Sequence, residues 1–115
     1  SSTAESFRKH FEDVADKYIR EFKLNPDSFV IDIGSNDGIA LKPFRKKGIQ
    51  ILGIEPANNI AKMANEQGVT TINRYFNQDT VDTILKNWWK ADIITASNVF
   101  AHADDLESIS IRYNK

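Results

Sequence analysis

The stretch "VIDIGSNDGIA", Val30 to Ala40, decides how the chain is read. Apolar and β-branched residues run into Asp32 and Ile33, and Gly34 and Gly38 then bracket a short polar loop. Such a run is a strand covered on both faces, followed by a turn whose glycines bring backbone close to whatever lies against it. The residues after the loop, Ile39 to Lys47, read as a helix. Pro43 belongs in its first turn, which puts the start near Ala40, and Gly48 is its C-terminal stop.

Working outward, the same punctuation repeats. Upstream, Phe7, Phe11, Val14, Ala15, Tyr18, Ile19 and Phe22 recur at three- and four-residue steps, the signature of an amphipathic helix over about 4–24. Ser2 and Glu5 fit a capping box at its start, and Asn25-Pro26-Asp27 supplies turn chemistry at its end. Downstream, "IQILGI" is a second strand, "PANNIAKMANEQG" a helix stopped by Gly68, and "VTTI" a third strand. "DTVDTILKNWW" is a further helix, "ADIITAS" a fourth strand, and "ADDLESISI" the start of another helix. Strands separated by helices of this length pair in parallel through right-handed crossovers. The expected fold is therefore α/β, an open, doubly wound parallel sheet of about four strands with flanking helices. It forms one domain over 1–115, with the β/α core at about 28–111.

Composition narrows the partners. The chain has 115 residues, 27% of them charged, and a formal net charge of -1. Its densest basic run, Lys42, Arg45, Lys46 and Lys47, is the solvated face of one helix. Nucleic acid is not the expected partner. Cysteine is absent and the two histidines, His10 and His102, lie far apart, so no metal site is expected. No apolar run approaches the roughly 20 residues of a membrane span, and the N-terminus lacks a signal-peptide apolar stretch. A cytoplasmic protein is expected.

In open parallel sheets ligands bind beyond the carboxyl ends of the strands, where the strand order reverses, and "GSNDG" occupies such an end. Three ligand classes can be weighed. A P-loop needs GxxxxGK[ST], but here the second glycine comes one residue early and Ile39 follows it. The dinucleotide fingerprint GxGxxG meets Asn36 and Ile39 at its second and third glycines, and a pyrophosphate would face the Asp37 carboxylate. S-adenosylmethionine carries no phosphate and has ammonium and sulfonium centres, so an acidic loop favours it. The pattern Asp32-x-Gly34-x-Asn36-x-Gly38 resembles motif I of class I methyltransferases, [DE]xGxGxG, with Asn for the middle glycine. Glu55, 17 positions beyond Gly38 at the end of the second strand, can accept hydrogen bonds from both ribose hydroxyls. Pro56 would start the next helix and lie near the adenine plane. The alternative for Glu55 is a carboxylate favoured at a helix start by the dipole.

"IGSNDG", "GIEPANNIAKMANEQGV" and "ASNVFAHADDL" together make the chain resemble the sugar C-methyltransferases that act on nucleotide-linked deoxyketosugars, a group within the class I methyltransferases with a Rossmann-like fold. The resemblance runs from Ser1 to about Leu106. It implies that Asp32, Gly34, Ser35, Asn36, Asp37 and Gly38 line the methionine and ribose side of S-adenosylmethionine. It also implies that Glu55 holds the ribose and Pro56 borders the adenine. Phe76 and Asn77 would contact the adenine ring and its amino group, Ser97 and Asn98 the methionine backbone, and Phe100 and His102 would face the methyl side. Members of that group carry a Cys-rich zinc module before the region matched and a large C-terminal region with the acid/base and sugar-binding residues. By the resemblance, then, this chain corresponds to the cofactor half, a truncated class I methyltransferase fold.

C-methylation beside a ketone needs a base for the α-proton and stabilisation of the enolate. His102 is the only candidate base within the chain, although "AHADDL" also reads as a loop entering a helix with His102 hydrogen-bonded near its start. Asp104 and Asp105 are then helix-start carboxylates, and Trp88 or Trp89 packs on the sheet. Two other readings stand beside a C-methyltransferase domain taking a small-molecule substrate: a cofactor-binding fragment without activity of its own, and a nicotinamide-dinucleotide-binding module. A four-stranded sheet leaves its edges open, and a homodimer through one of them is expected.

Overall fold

The computed structural model describes residues 3–87 and 91–96. In chain order the elements are α1 (Thr3–Glu21), β1 (Phe29–Ile33), α2 (Lys42–Lys46), β2 (Gln50–Ile54), α3 (Asn58–Glu66), β3 (Thr71–Ile72), α4 (Gln78–Asn87) and β4 (Ile93–Thr95). The strands form one parallel sheet in the order β3-β2-β1-β4. The alternation of strand and helix read from the sequence is therefore the fold. Ser2 and the segments holding Trp88, Trp89 and Asp104 to Ile111 lie outside the described residues.

Three of the helices end by one device. After α1, Lys23 turns left-handed (φ 52) and the Leu24 amide donates to the Ile19 carbonyl at 2.9 Å. The Ile49 amide reaches the Phe44 carbonyl past Gly48, and the Val69 amide reaches the Ala64 carbonyl past Gly68. These backward bonds satisfy carbonyls that the helix ends would leave open. This device stops α1 at Glu21, short of the expected 24, because the closing turn consumes the last residues. Two helix starts also differ from expectation. Residues 39–41 form turns closed on the Gly38 carbonyl, so α2 is only Lys42–Lys46 with Pro43 in its first turn. Pro56 does not begin α3; extended Ala57 is its N-cap and Asn58 its first residue.

Side chains alternate across the sheet as the pleat requires. Phe29, Ile31, Ile33, Leu52 and Ile54 point to one face and pack with Val81 and Ile84 of α4. Val30 and Ile51 point to the other, where Ala15 of α1, Phe44 of α2 and Ala64 of α3 cover them. Among the described residues, three helices thus lie on one face and α4 on the other. Val30, Ile31, Ile33 and Leu52 are at most 1% exposed, each such burial contributing about 1.5–3 kcal/mol.

At the sheet edge, the outward-facing backbone of β3 does not stand open. The Asn65 side chain of α3 accepts from the Thr71 amide at 2.8 Å and donates to the Thr71 carbonyl at 2.9 Å. It also donates to the Ala61 carbonyl at 3.1 Å. One side-chain amide stands where a neighbouring strand would pair.

Candidate functional site

The chain runs β1 to β2 to β3 in one direction across the sheet and then returns to place β4 on the far side of β1. The order reverses between β1 and β4, so "GSNDG" opens directly onto the crevice that such reversals create.

The loop is held by its neighbours on β2. The Gly34 and Ser35 amides both donate to the Ile54 carbonyl, at 2.8 and 3.0 Å. The Gly38 amide closes back on the Ser35 carbonyl, and the Ile39 amide on Asp37 Oδ1 at 3.1 Å. Gly34 (φ 69), Asn36 (φ 55) and Gly38 (φ 89) all lie in the left-handed region. Asn is the residue other than Gly that takes this conformation most readily, which explains its presence at the middle position. A methyl group on Gly38 would sit 2.7–3.0 Å from the Val69 side chain, so this glycine lets the loop seat against the start of the β3 segment.

Glu55 is the hinge of the site. It is 7% exposed, and its carboxylate accepts from the Asn36 amide through Oε1 and from the Ala57 amide through Oε2, each at 2.8 Å. It thereby ties the β1 loop to the entry of α3. Each carboxylate oxygen keeps a second lone pair, so the same group can accept further donors from a diol beside it. The carbonyls of Glu55 and Pro56 are gathered by Asn73 Nδ2 at 3.0 and 2.9 Å. Pro56 is exposed on this side of the crevice.

Asp32, the first residue of the motif, lies within β1. It is 0% exposed and lies beneath the loop, where Oδ1 accepts from the Thr95 hydroxyl of β4 at 2.7 Å. That bond joins β1 to β4 under the crevice. Ser35 is likewise buried at 2%, with its side chain turned inward over Gly53 of β2. Asn36 and Asp37 remain accessible at the loop's surface. Phe76 is half-buried against the α4-side core, and Asn77 caps α4: its Oδ1 accepts from the Thr80 amide at 3.0 Å and the Thr80 hydroxyl at 3.1 Å. The Thr80 hydroxyl also donates to the Tyr75 carbonyl. The structure thus brings Gly34, Asn36, Asp37, Gly38 and Glu55 together at the crevice and sets Asp32 and Ser35 under it. Ser97, Asn98, Phe100 and His102 lie outside the described residues.

Thr95, Asn73 and Gly53 take part in this arrangement and were not singled out from the sequence. Their partners are 63, 18 and 18 positions away in the chain, beyond the reach of local pattern.

The groups present fit S-adenosylmethionine. The loop and the segment after β2 offer two carboxylates, Asp37 and Glu55, and no cationic side chain; a sulfonium and an ammonium are favoured there and a pyrophosphate is not. Beside the loop, Asp37 and Ile39 also border a groove of about 810 Å³ between α1 and α2, whose walls include Phe7, Pro43 and Lys46. Among the described residues no group of His, Cys, Asp and Glu could hold a metal ion, and no helix is long and apolar enough to cross a membrane.

A switch-point crevice, an acidic glycine loop after β1 and a carboxylate after β2 define a class I S-adenosylmethionine-dependent methyltransferase domain. Comparison with known proteins agrees: a family model for a methyltransferase domain matches residues 6–109, and the chain belongs to that family. Over 109 residues it is 30% identical to the C-methyltransferase NovU of Streptomyces niveus, covering 95% of this chain and 26% of that protein. It is 31% identical over 103 residues to the ubiquinone biosynthesis O-methyltransferase of Rhodopseudomonas palustris, covering 81% of this chain and 40% of that one. The chain therefore spans between a quarter and two-fifths of these relatives. Among solved structures, DesVI of Streptomyces venezuelae superposes with a TM-score of 0.65 at 16% identity, over 93% of this chain and 44% of that one. CalS10, an amino pentose methyltransferase from Micromonospora echinaspora solved with S-adenosylmethionine, superposes at 0.59 and 18% identity, over 93% and 44%. These similarities fix the fold.

Proposed function

We propose that this chain is the cofactor-binding part of a methyltransferase that methylates carbon on a nucleotide-linked deoxyketosugar. The observation that carries the cofactor reading is Glu55, a buried carboxylate fixed by two backbone amides at the carboxyl end of β2. Its remaining lone pairs accept from the two hydroxyls of the ribose in this reading. Asn36 and Asp37 on the loop surface face the methionine end, Gly34 and Gly38 keep the backbone low beneath it, and Pro56 borders the adenine. S-adenosylmethionine, when bound, supplies an electrophilic methyl group on a positively charged sulfur. The chain's own residues bind and orient it, while Asp32 and Thr95 hold β1 and β4 at a fixed separation under the loop.

The choice of a sugar as acceptor rests on the resemblance of "SNDG", "GIEP" and "NVFAH" to sugar C-methyltransferases, and the choice of carbon is supported by the match to the C-methyltransferase NovU. His102 is the candidate base for the α-proton.

Calorimetric titration with S-adenosylmethionine and S-adenosylhomocysteine, with NAD as control, tests the reading. Saturable binding of the two adenosyl ligands alone is expected. Binding of NAD instead would make this a dinucleotide module. Binding of the adenosyl ligands with no methyl transfer to a nucleotide-linked ketosugar would make the chain a cofactor-binding unit without activity of its own.

A further inference from the structure

At the carboxyl end of the sheet a row of residues runs across all four strands in register: Thr71 of β3, Gly53 of β2, Asp32 of β1 and Thr95 of β4. Their side chains project to the face covered by α1, α2 and α3, since Val30, Ile51 and Ile93, two residues earlier on their strands, pack there. The row is polar except at Gly53, where there is no side chain at all. The Ser35 side chain fills that gap from above. A methyl group on Gly53 would lie 2.9 Å from Ser35 Cβ, closer still to Ser35 Oγ, and 3.1 Å from Thr71 Oγ1. Ser35 is 2% exposed and its hydroxyl has no hydrogen-bond partner among the described residues, so a bond from that hydroxyl does not hold the loop there. Its seat is steric.

We infer that Gly53 is a positioning residue for the cofactor loop: the socket left by its missing side chain receives Ser35 and thereby sets the adjacent Asn36 amide against Glu55. The chain geometry supports this directly. Ser35 and Asn36 are consecutive, the Ser35 amide is anchored on Ile54 at 3.0 Å, and the Asn36 amide reaches Glu55 Oε1 at 2.8 Å. Bulk added in the socket must lift Ser35. Rotation of the hydroxyl can relieve the contact with Ser35 Oγ but not the one with Ser35 Cβ at 2.9 Å, which is fixed to the backbone, so the displacement passes to the next amide. The carboxylate then loses one of the two bonds that fix it. The functional consequence rests on the cofactor reading above; the geometric one does not.

The test is a size swap with two readouts. Gly53→Ala should weaken S-adenosylhomocysteine binding at least tenfold by calorimetry. In amide hydrogen exchange followed by NMR, the Asn36 amide should lose protection while the amides of β1 keep theirs. Ser35→Gly/Gly53→Ala, which empties the loop side of the contact, should restore Asn36 protection and bring affinity to within about threefold of Ser35→Gly alone. If Gly53→Ala does not fold, Ser35→Val places the surplus bulk on the opposite side of the same contact and should show the same selective loss at Asn36. Unchanged Asn36 protection in a folded single variant, or no rescue in the double variant, would overturn the inference. Should wild-type protein bind no adenosyl ligand, the cofactor reading fails while the exchange experiment still decides the role of Gly53.

Discussion

Glu55 shows how one side chain can carry two jobs. Its carboxylate organises backbone by accepting from Asn36 and Ala57, and on the proposed reading the same oxygens accept a ribose diol. Hydrogen bonds to a charged acceptor contribute about 1.5–3 kcal/mol each. Glu55→Ala is therefore expected to weaken S-adenosylhomocysteine binding by roughly 100-fold or more, measured by calorimetry, with the far-ultraviolet circular dichroism unchanged. An affinity within a few-fold of wild type would remove Glu55 from the site. Asp32 makes the opposite point. Its place in the motif implies a residue on the cofactor side, and in the structure its carboxylate is buried and bonded to Thr95 between two strands. Sequence showed that a carboxylate belongs at this position. It could not show which way the carboxylate points, because its hydroxyl partner arrives on β4.

Elements were legible where a local rule acts. The 3.6-residue period located α1, β-branched runs located β1 and β2, and Gly48 and Gly68 stopped α2 and α3 where expected. Boundaries slipped where a tertiary contact competed. The expected first turn of α2 is spent on closing the Gly38 loop, and Pro56 stays outside α3, where Asn73 gathers its carbonyl together with that of Glu55. The edge of β3 is likewise a tertiary matter. Asn65 occupies both outward-facing backbone groups of Thr71, so association through this edge requires its displacement. Asn65→Ala is expected to destabilise the domain by about 1–2 kcal/mol and to raise the concentration-dependent mass in light scattering as the edge opens. A variant that remains as monodisperse as wild type would show that something other than Asn65 protects this edge. Any homodimer formed by the wild-type protein through a sheet edge should leave Asn65 and Thr71 uncovered.

For the whole molecule, the strand order places the crevice between β1 and β4, and among the described residues α4 covers one face of the sheet by itself. Loop, Glu55 and the Asp32–Thr95 pair belong to three strands whose mutual position the folded sheet fixes. A ligand binding there holds them together and should stabilise the domain globally. At a concentration 100 times its dissociation constant, S-adenosylhomocysteine is expected to add about 2.7 kcal/mol. For a domain of this size that is a rise in the thermal midpoint on the order of 10 °C. NAD at the same concentration should leave the midpoint unchanged, and equal shifts from both would point to nonspecific binding.

The sequence by itself determined the α/β alternation, the glycine-bracketed loop and the acidic character that favours a cationic cofactor. Each of these follows from neighbours within a few positions, where steric limits on φ and the period of burial act directly. Only the tertiary structure decided that Asp32 faces Thr95, that Ser35 drops into the space Gly53 leaves, and that Asn65 stands in for a strand. Those pairings join residues from separate elements, and their register exists only once the strands have come together to bury Val30, Ile31, Ile33 and Leu52.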